Sequence, residues 1–146
     1  MKKIWNKNFI LLSFGGFFLF IDQIIKYLSL NYFTNQHIVK GLGWYPFKNP
    51  GIAFGIKIPL LLIIFLSLII IILIFVIWKK QTTLKSKFGL TLVLSGATSN
   101  LIDRLIYHQT IDYFAFFTGI INLADALIVI GFIIYLFSKK NKEICS

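Results

Sequence analysis

NLIDRLIYHQTIDYFAFFTGIINLAD, residues 100–125, holds three of the chain's five acidic residues, Asp103, Asp112 and Asp125, and its only arginine, Arg104. Apolar runs long enough to cross a bilayer flank it on both sides. Carboxylates at the ends of membrane spans cost free energy, so each needs a partner or a task. The stretch therefore reads as the outer turn of one span, a short outer loop, and the start of the next span. Asp112 and Asp125 read as a pair of carboxylates at a membrane surface.

Composition points the same way. The 146 residues allow one domain, 58% of them are hydrophobic and only 14% are charged, against about 25% charged in soluble domains. The formal charge of +10 raises nucleic acid as a partner, but the placement of the lysines excludes it. They cluster beside apolar runs, as Lys2, Lys3 and Lys7, then Lys79, Lys80, Lys85 and Lys87, then Lys139, Lys140 and Lys142. Such clusters mark the cytoplasmic ends of spans. Cys145, the single cysteine, cannot form an intrachain disulfide. His37 and His108 lie far apart and no HExxH or Cys/His cluster occurs, so neither a metal nor another cofactor is expected. The N-terminal lysines and apolar run imitate a secretory leader. Asp22-Gln23 follows where small residues would mark a cleavage site, so a retained first span is expected.

The expected fold is an all-α integral membrane protein, one domain over residues 1–146. Its four spans are placed at about 9–28, 59–78, 88–107 and 120–137, with a small β-structured platform at 31–57 between the first two. Gly15-Gly16 and the small residues Gly96, Ala97 and Ser99 permit close helix contact. Asp22 and Lys26, four apart, share one helix face. His37–Lys40 and Gly43–Phe47 have strand character, and Trp44, Tyr45 and Phe47 suit a headgroup interface. Asn49-Pro50-Gly51 alone is an ordinary turn. Tyr113, Phe114, Phe116 and Phe117 are read as aromatics of an outer loop, His108–Gly119, dipping into lipid. With both termini and the middle basic loop inside, Asp22, Asp103, Asp112 and Asp125 converge at the outer surface.

Two adjacent carboxylates do not both ionise easily, and one retains a proton. The ionised member can take a proton from water while the protonated member polarises a scissile carbonyl. Asn100, Asn122, Asp103 and Arg104 are expected to orient the pair, with Arg104 holding Asp103 or a lipid phosphate. Ser95 and Ser99 are read as packing residues, since no base sits beside them on their helix. Composition does not by itself choose hydrolysis. A small proton-coupled transporter using the same aspartates is the alternative, and a purely structural membrane subunit is a third class.

Five blocks in order decide further: Asp22-Gln-Ile-Ile-Lys26, Asn49-Pro-Gly51-Ile-Ala-Phe-Gly55, Ser95-Gly-Ala-Thr-Ser-Asn100-Leu-Ile-Asp103-Arg104, Ile111-Asp112-Tyr113 and Asn122-Leu-Ala-Asp125. Together with the length and four-span layout they resemble the bacterial type II signal peptidases, the prolipoprotein signal peptidases. Ile25 stands where those enzymes usually carry a small hydroxyl residue. The resemblance implies a monomeric aspartic endopeptidase of the bacterial inner membrane, with no cofactor. It would cut prolipoprotein signal peptides on the N-terminal side of a diacylglyceryl-modified cysteine, in contact with membrane lipid, and bind inhibitors of the globomycin type. It further implies Asp112 and Asp125 as the catalytic pair, with Asp22, Lys26, Asn49, Gly51, Asn100, Asp103, Arg104 and Asn122 binding substrate or supporting it.

Overall fold

The computed structural model describes residues 2–51, 58–117 and 119–144. Among these residues, four helices are joined to one small antiparallel sheet. The order is α1 (Lys2–Asn31), β1 (His37–Val39), β2 (Leu42–Asn49), α2 (Leu60–Lys80), α3 (Leu84–Tyr107), β3 (Thr110–Phe116), β4 (Gly119–Ile121) and α4 (Leu123–Ile144). The second half of the Asn49–Gly55 block and Cys145 lie outside the described residues.

Among the described residues two helical stretches, Lys7–Asn31 and Leu60–Lys80, are long and apolar enough to cross a membrane, and the apolar part of α4, Leu123–Ser138, is shorter. α2 buries only Ile63 and Trp78, and Leu61 is 81% exposed. A helix that is apolar all round and barely covered by protein is one whose solvent is lipid. α3 is different because it is the hub. It packs on α1, α2, α4 and β3, and it buries Thr91, Ser95, Ser99, Asn100 and Asp103 as well as Leu90, Leu92 and Leu101.

Small residues let the helices approach. A Cβ on Gly89 would lie 2.6 Å from the Gly131 carbonyl oxygen, and one on Gly96 would collide with the Ala124 carbonyl. The α3–α4 seam is thus backbone against backbone. Gly15 does the same for α1, where a Cβ would lie 2.6 Å from Ser95 Oγ, whereas Gly16 faces open space.

The sheet corrects two expectations. Its strand order is β1-β2-β3-β4, so half of it comes from the segment between α3 and α4. The platform is not confined to 31–57, and His108–Gly119 is not a loop. β2 pairs with β3 in two registers, Trp44 opposite Phe114 and Phe47 opposite Asp112, with an irregularity between them. Lys40 (φ 52°) and Gly41 (φ 81°) form the two-residue turn between β1 and β2, the left-handed pair that matches strand twist. β4 (Gly119–Ile121) also takes up residues 120 and 121, placed above in the fourth span, and α4 starts only at Leu123.

Candidate active site

Asn122 and Asp125 build the start of α4. Asn122 Oδ1 accepts from the Asp125 N–H (2.9 Å), and Asp125 Oδ2 accepts from the Asn122 N–H (3.3 Å). This is a capping box with an asparagine at the cap and an aspartate three residues on. It places a carboxylate in the first turn of a helix, where the backbone dipole favours negative charge.

Asp112 comes from β3 and meets the same asparagine. Asn122 Nδ2 donates to Asp112 Oδ1 (2.7 Å), and Asn49 Nδ2 donates to Asp112 Oδ2 (3.0 Å). Asn100 Nδ2, from α3, donates to Asp125 Oδ1 (2.9 Å). One asparagine therefore touches both carboxylates, and two others approach from the flanks.

The orientation of each amide is forced. Asn49 Oδ1 accepts from the Gly51 N–H (3.0 Å), Asn122 Oδ1 from the Asp125 N–H, and Asn100 Oδ1 from Lys26 Nζ (3.0 Å). An ammonium or a backbone N–H can only donate, so each amide oxygen is held away from the pair and each NH₂ must face a carboxylate. The site thus stabilises negative charge with neutral dipoles.

Behind it lies a buried ionic cluster. Lys26 Nζ sits 2.7 Å from Asp22 Oδ2 and 2.8 Å from Asp103 Oδ2, and all three side chains are essentially inaccessible. Ser99 Oγ donates to Asp22 Oδ2 (2.6 Å), Gln23 Nε2 donates to Asp103 Oδ1 (2.8 Å), and the Ile111 N–H donates to Asp103 Oδ2 (3.1 Å). Charges this deep persist only when paired and hydrogen-bonded. Among the described residues only Thr110 Oγ1 is a buried side-chain polar atom without a partner.

Burial raises the Asp112 carboxyl to about 6 from its usual 3.8. The donated bond from Asn49 lowers it, the nearby charge of Asp125 raises it, and the bond from Asn122 lowers it. Tyr113 is also pushed up, first by burial and then by the charge of Asp22.

All ten residues singled out above are described, and nine of them join one network. Arg104 is the exception in role. It does not pair with Asp103, which is taken by Lys26, Gln23 and the Ile111 amide; its guanidinium donates to the Asn100 carbonyl (3.4 Å). Three participants escaped the sequence reading. Gln23 lies inside a helix run, Ser99 reads as a packing residue from its sequence neighbours, and Tyr113 reads as a lipid-facing aromatic. Tyr113 is buried instead and donates to Asp22 Oδ1 (2.9 Å). Two signals point to them: each lies next to, or four residues before, a residue already selected, and each falls inside one of the five sequence blocks.

A separate apolar cavity of about 550 Å³ lies between the outer end of α1 and the sheet, lined by Ile25, Leu28, Tyr32, Phe33, Trp44 and others. It reaches Tyr113 but neither Asp112 nor Asp125.

Comparison with known proteins agrees with this organisation. A family model described as Signal peptidase (SPase) II matches residues 15–139. The chain is 35% identical over 126 residues to a lipoprotein signal peptidase of Bartonella henselae, covering 77% of each chain. It is 33% identical over 133 residues to one from Caldanaerobacter subterraneus subsp. tengcongensis, covering 82% of this chain and 88% of that one. Its fold matches two solved bacterial membrane enzymes, with TM-scores of 0.79 and 0.76 at 20% and 21% identity. The first match covers 94% of this chain and 90% of the other; the second covers 91% and 92%. With the family model spanning all five sequence blocks and relatives this similar over most of their length, the chain belongs to the signal peptidase II family.

Proposed function

We propose that the chain is an aspartic endopeptidase that removes signal peptides from prolipoproteins, cutting on the N-terminal side of a diacylglyceryl-modified cysteine, with Asp112 and Asp125 as its catalytic pair. The observation that carries this reading is that Asn122 contacts both carboxylates while every other amide at the pair is turned to donate. Such a site lowers the cost of holding one negative charge but not two, since among the described residues no cation touches either carboxylate directly. The pair then shares a proton at working pH. The ionised member takes a proton from an attacking water, and the protonated one hydrogen-bonds the scissile carbonyl and later gives its proton to the leaving amine. The amides need no reorganisation during the reaction, which is how preorganised dipoles accelerate it.

The reading places one domain in the bacterial inner membrane as a monomer, with four spans, both termini cytoplasmic and the pair at the outer face. The basic clusters at the opposite helix ends support that orientation. A substrate presenting its cut site there keeps its diacylglyceryl chains in the outer leaflet, in contact with membrane lipid, and globomycin-type peptides compete for the aspartate pair. Asp22, Lys26, Asp103, Asn49, Gly51, Asn100, Asn122 and Arg104 act in support. Transport is disfavoured because α2 has no ionisable residue before its terminal Lys79 and Lys80.

Cleavage of a lipidated prolipoprotein by the purified protein, with and without globomycin, tests the proposal. Asp112→Asn and Asp125→Asn should each insert and fold normally yet lose nearly all turnover. The double variant should be little worse, because the two act as one unit. Wild-type turnover in either single variant refutes the assignment.

A further inference from the structure

We propose that Tyr113 is a positioning residue for the hydrolysis assigned to Asp112 and Asp125, its hydroxyl joining the buried Asp22–Lys26–Asp103 cluster to the first backbone N–H of α4. The inference rests on that assignment and extends it to a residue outside the pair.

The hydroxyl does two things at once. It donates to Asp22 Oδ1 (2.9 Å) and accepts from the Leu123 N–H (2.8 Å). A phenol has one proton to give and lone pairs to receive with, so both directions are used. Leu123 is the first residue of α4. Its N–H is one of the donors that a helix start leaves without an intrahelical partner. Asn122 serves Asp125 further along the same turn, and Tyr113 serves Leu123.

The remainder of the side chain is held equally firmly. The ring stacks on Trp44, with centroids 5.4 Å apart and 29° between planes, and Tyr113 is 6% exposed. Its backbone is the residue after Asp112, and the amide it binds lies two residues before Asp125. One hydroxyl therefore ties the strand bearing one carboxylate to the helix turn bearing the other. It anchors both on a carboxylate that is itself fixed by Lys26 and Ser99. A loss of about 1 Å in the relative placement of two reacting groups costs on the order of a hundredfold in rate, so a tie at this point acts on the chemical step.

Tyr113→Phe keeps the ring and the Trp44 stack and removes only the hydroxyl. The expected result is about a tenfold fall in kcat on a lipidated substrate, with KM changed less than twofold and the same folded fraction in detergent. Trp44→Phe is the structural control. It keeps the hydroxyl, and it should lower the unfolding temperature while leaving kcat per folded enzyme within twofold. If Tyr113→Phe fails to accumulate, Leu123→Pro tests the same tie from its other end, because proline is favoured at the first helical position and lacks the N–H that the hydroxyl accepts from, and kcat should again fall about tenfold. Unchanged kcat in the Phe variant, or a loss that follows folded fraction alone, overturns the proposal. Asp112→Asn and Asp125→Asn run in parallel keep the two ideas apart: activity in those variants strikes the catalytic assignment, whereas inactivity there with full kcat in Tyr113→Phe strikes this one alone.

Discussion

At the residue scale, Asp112 carries a measurable cost. Its carboxyl holds its proton to about pH 6 in the fold, against 3.8 as an ordinary side chain. The folded state thus binds more protons than the unfolded state between these values. Stability from this group is present at low pH and is lost as pH rises from about 4 to about 6, a change on the order of 3 kcal/mol. Asp112→Asn cannot titrate. The stability of wild type minus that of the variant, measured by unfolding in detergent across pH 4 to 8, should fall through this window and then level off; a flat difference contradicts the burial argument. Lys26 has the opposite character. It is the cation shared by Asp22 and Asp103, and removing it leaves two buried carboxylates unpaired, a loss of about 3–5 kcal/mol. Lys26→Met should sharply lower folded yield. Arg104→Ala should be tolerated in yield, because Asp103 does not depend on it; equal yields from the two variants would count against this division. The acids were legible in the sequence because a carboxylate in an apolar run has no bland explanation, and the Asp22–Lys26 pair followed from spacing alone. Which cation served Asp103 was not legible. Adjacency favoured Arg104, but neighbouring residues on a helix point about 100° apart, and the partner came from another helix.

At the element scale, the helices were legible and half of the sheet was not. The first half of β3 shows no alternation of apolar and polar residues because Thr110, Ile111, Asp112 and Tyr113 are all buried, so both of its faces are covered there, and only beyond Tyr113 do Phe114 and Phe116 open one face. A strand that is buried on both sides loses the period-two signal, and the acid within it made the segment look like a loop. The fourth helix begins later than its apolar run for a related reason: Ile120 and Ile121 are as apolar as a span but pair with β3. The α3–α4 seam, by contrast, was announced by its small residues. Gly96 faces the Ala124 carbonyl and Ile128 directly, one residue before Asp125. Gly96→Leu should push α4 away from α3, stretch the Asn100–Asp125 bond, and abolish turnover together with much of the folded yield. Gly16→Leu, where nothing lies within 4 Å, should leave both nearly intact. If the two substitutions behave alike, close approach at the seam is not what positions the carboxylate.

At the scale of the molecule, the chain is polarised along its helices. The ends of α1 and α3 that carry Asp22, Lys26, Asn100 and Asp103 meet the sheet and the start of α4. Lys79, Lys80, Lys85 and Lys87 gather at the connection between α2 and α3, at the other end. Between these ends, Phe9, Phe17, Phe20, Leu61, Phe65, Ile72 and Phe132 are among the large apolar side chains left exposed. In water such a surface would aggregate; in a bilayer it is the lipid contact. Lysines are retained on the cytoplasmic side of short loops, so the connection at residues 81–83 should lie inside and the sheet outside. Single cysteines introduced as Thr83→Cys and Tyr45→Cys, each in a Cys145→Ser background, give this a direct test in intact cells with a membrane-impermeant thiol reagent. Position 45 should react from outside, and position 83 should react only after the membrane is opened. The reverse pattern would put the sheet and both aspartates in the cytoplasm. A lipidated substrate could not then be cut at the outer surface, and the proposed function would fail with the topology.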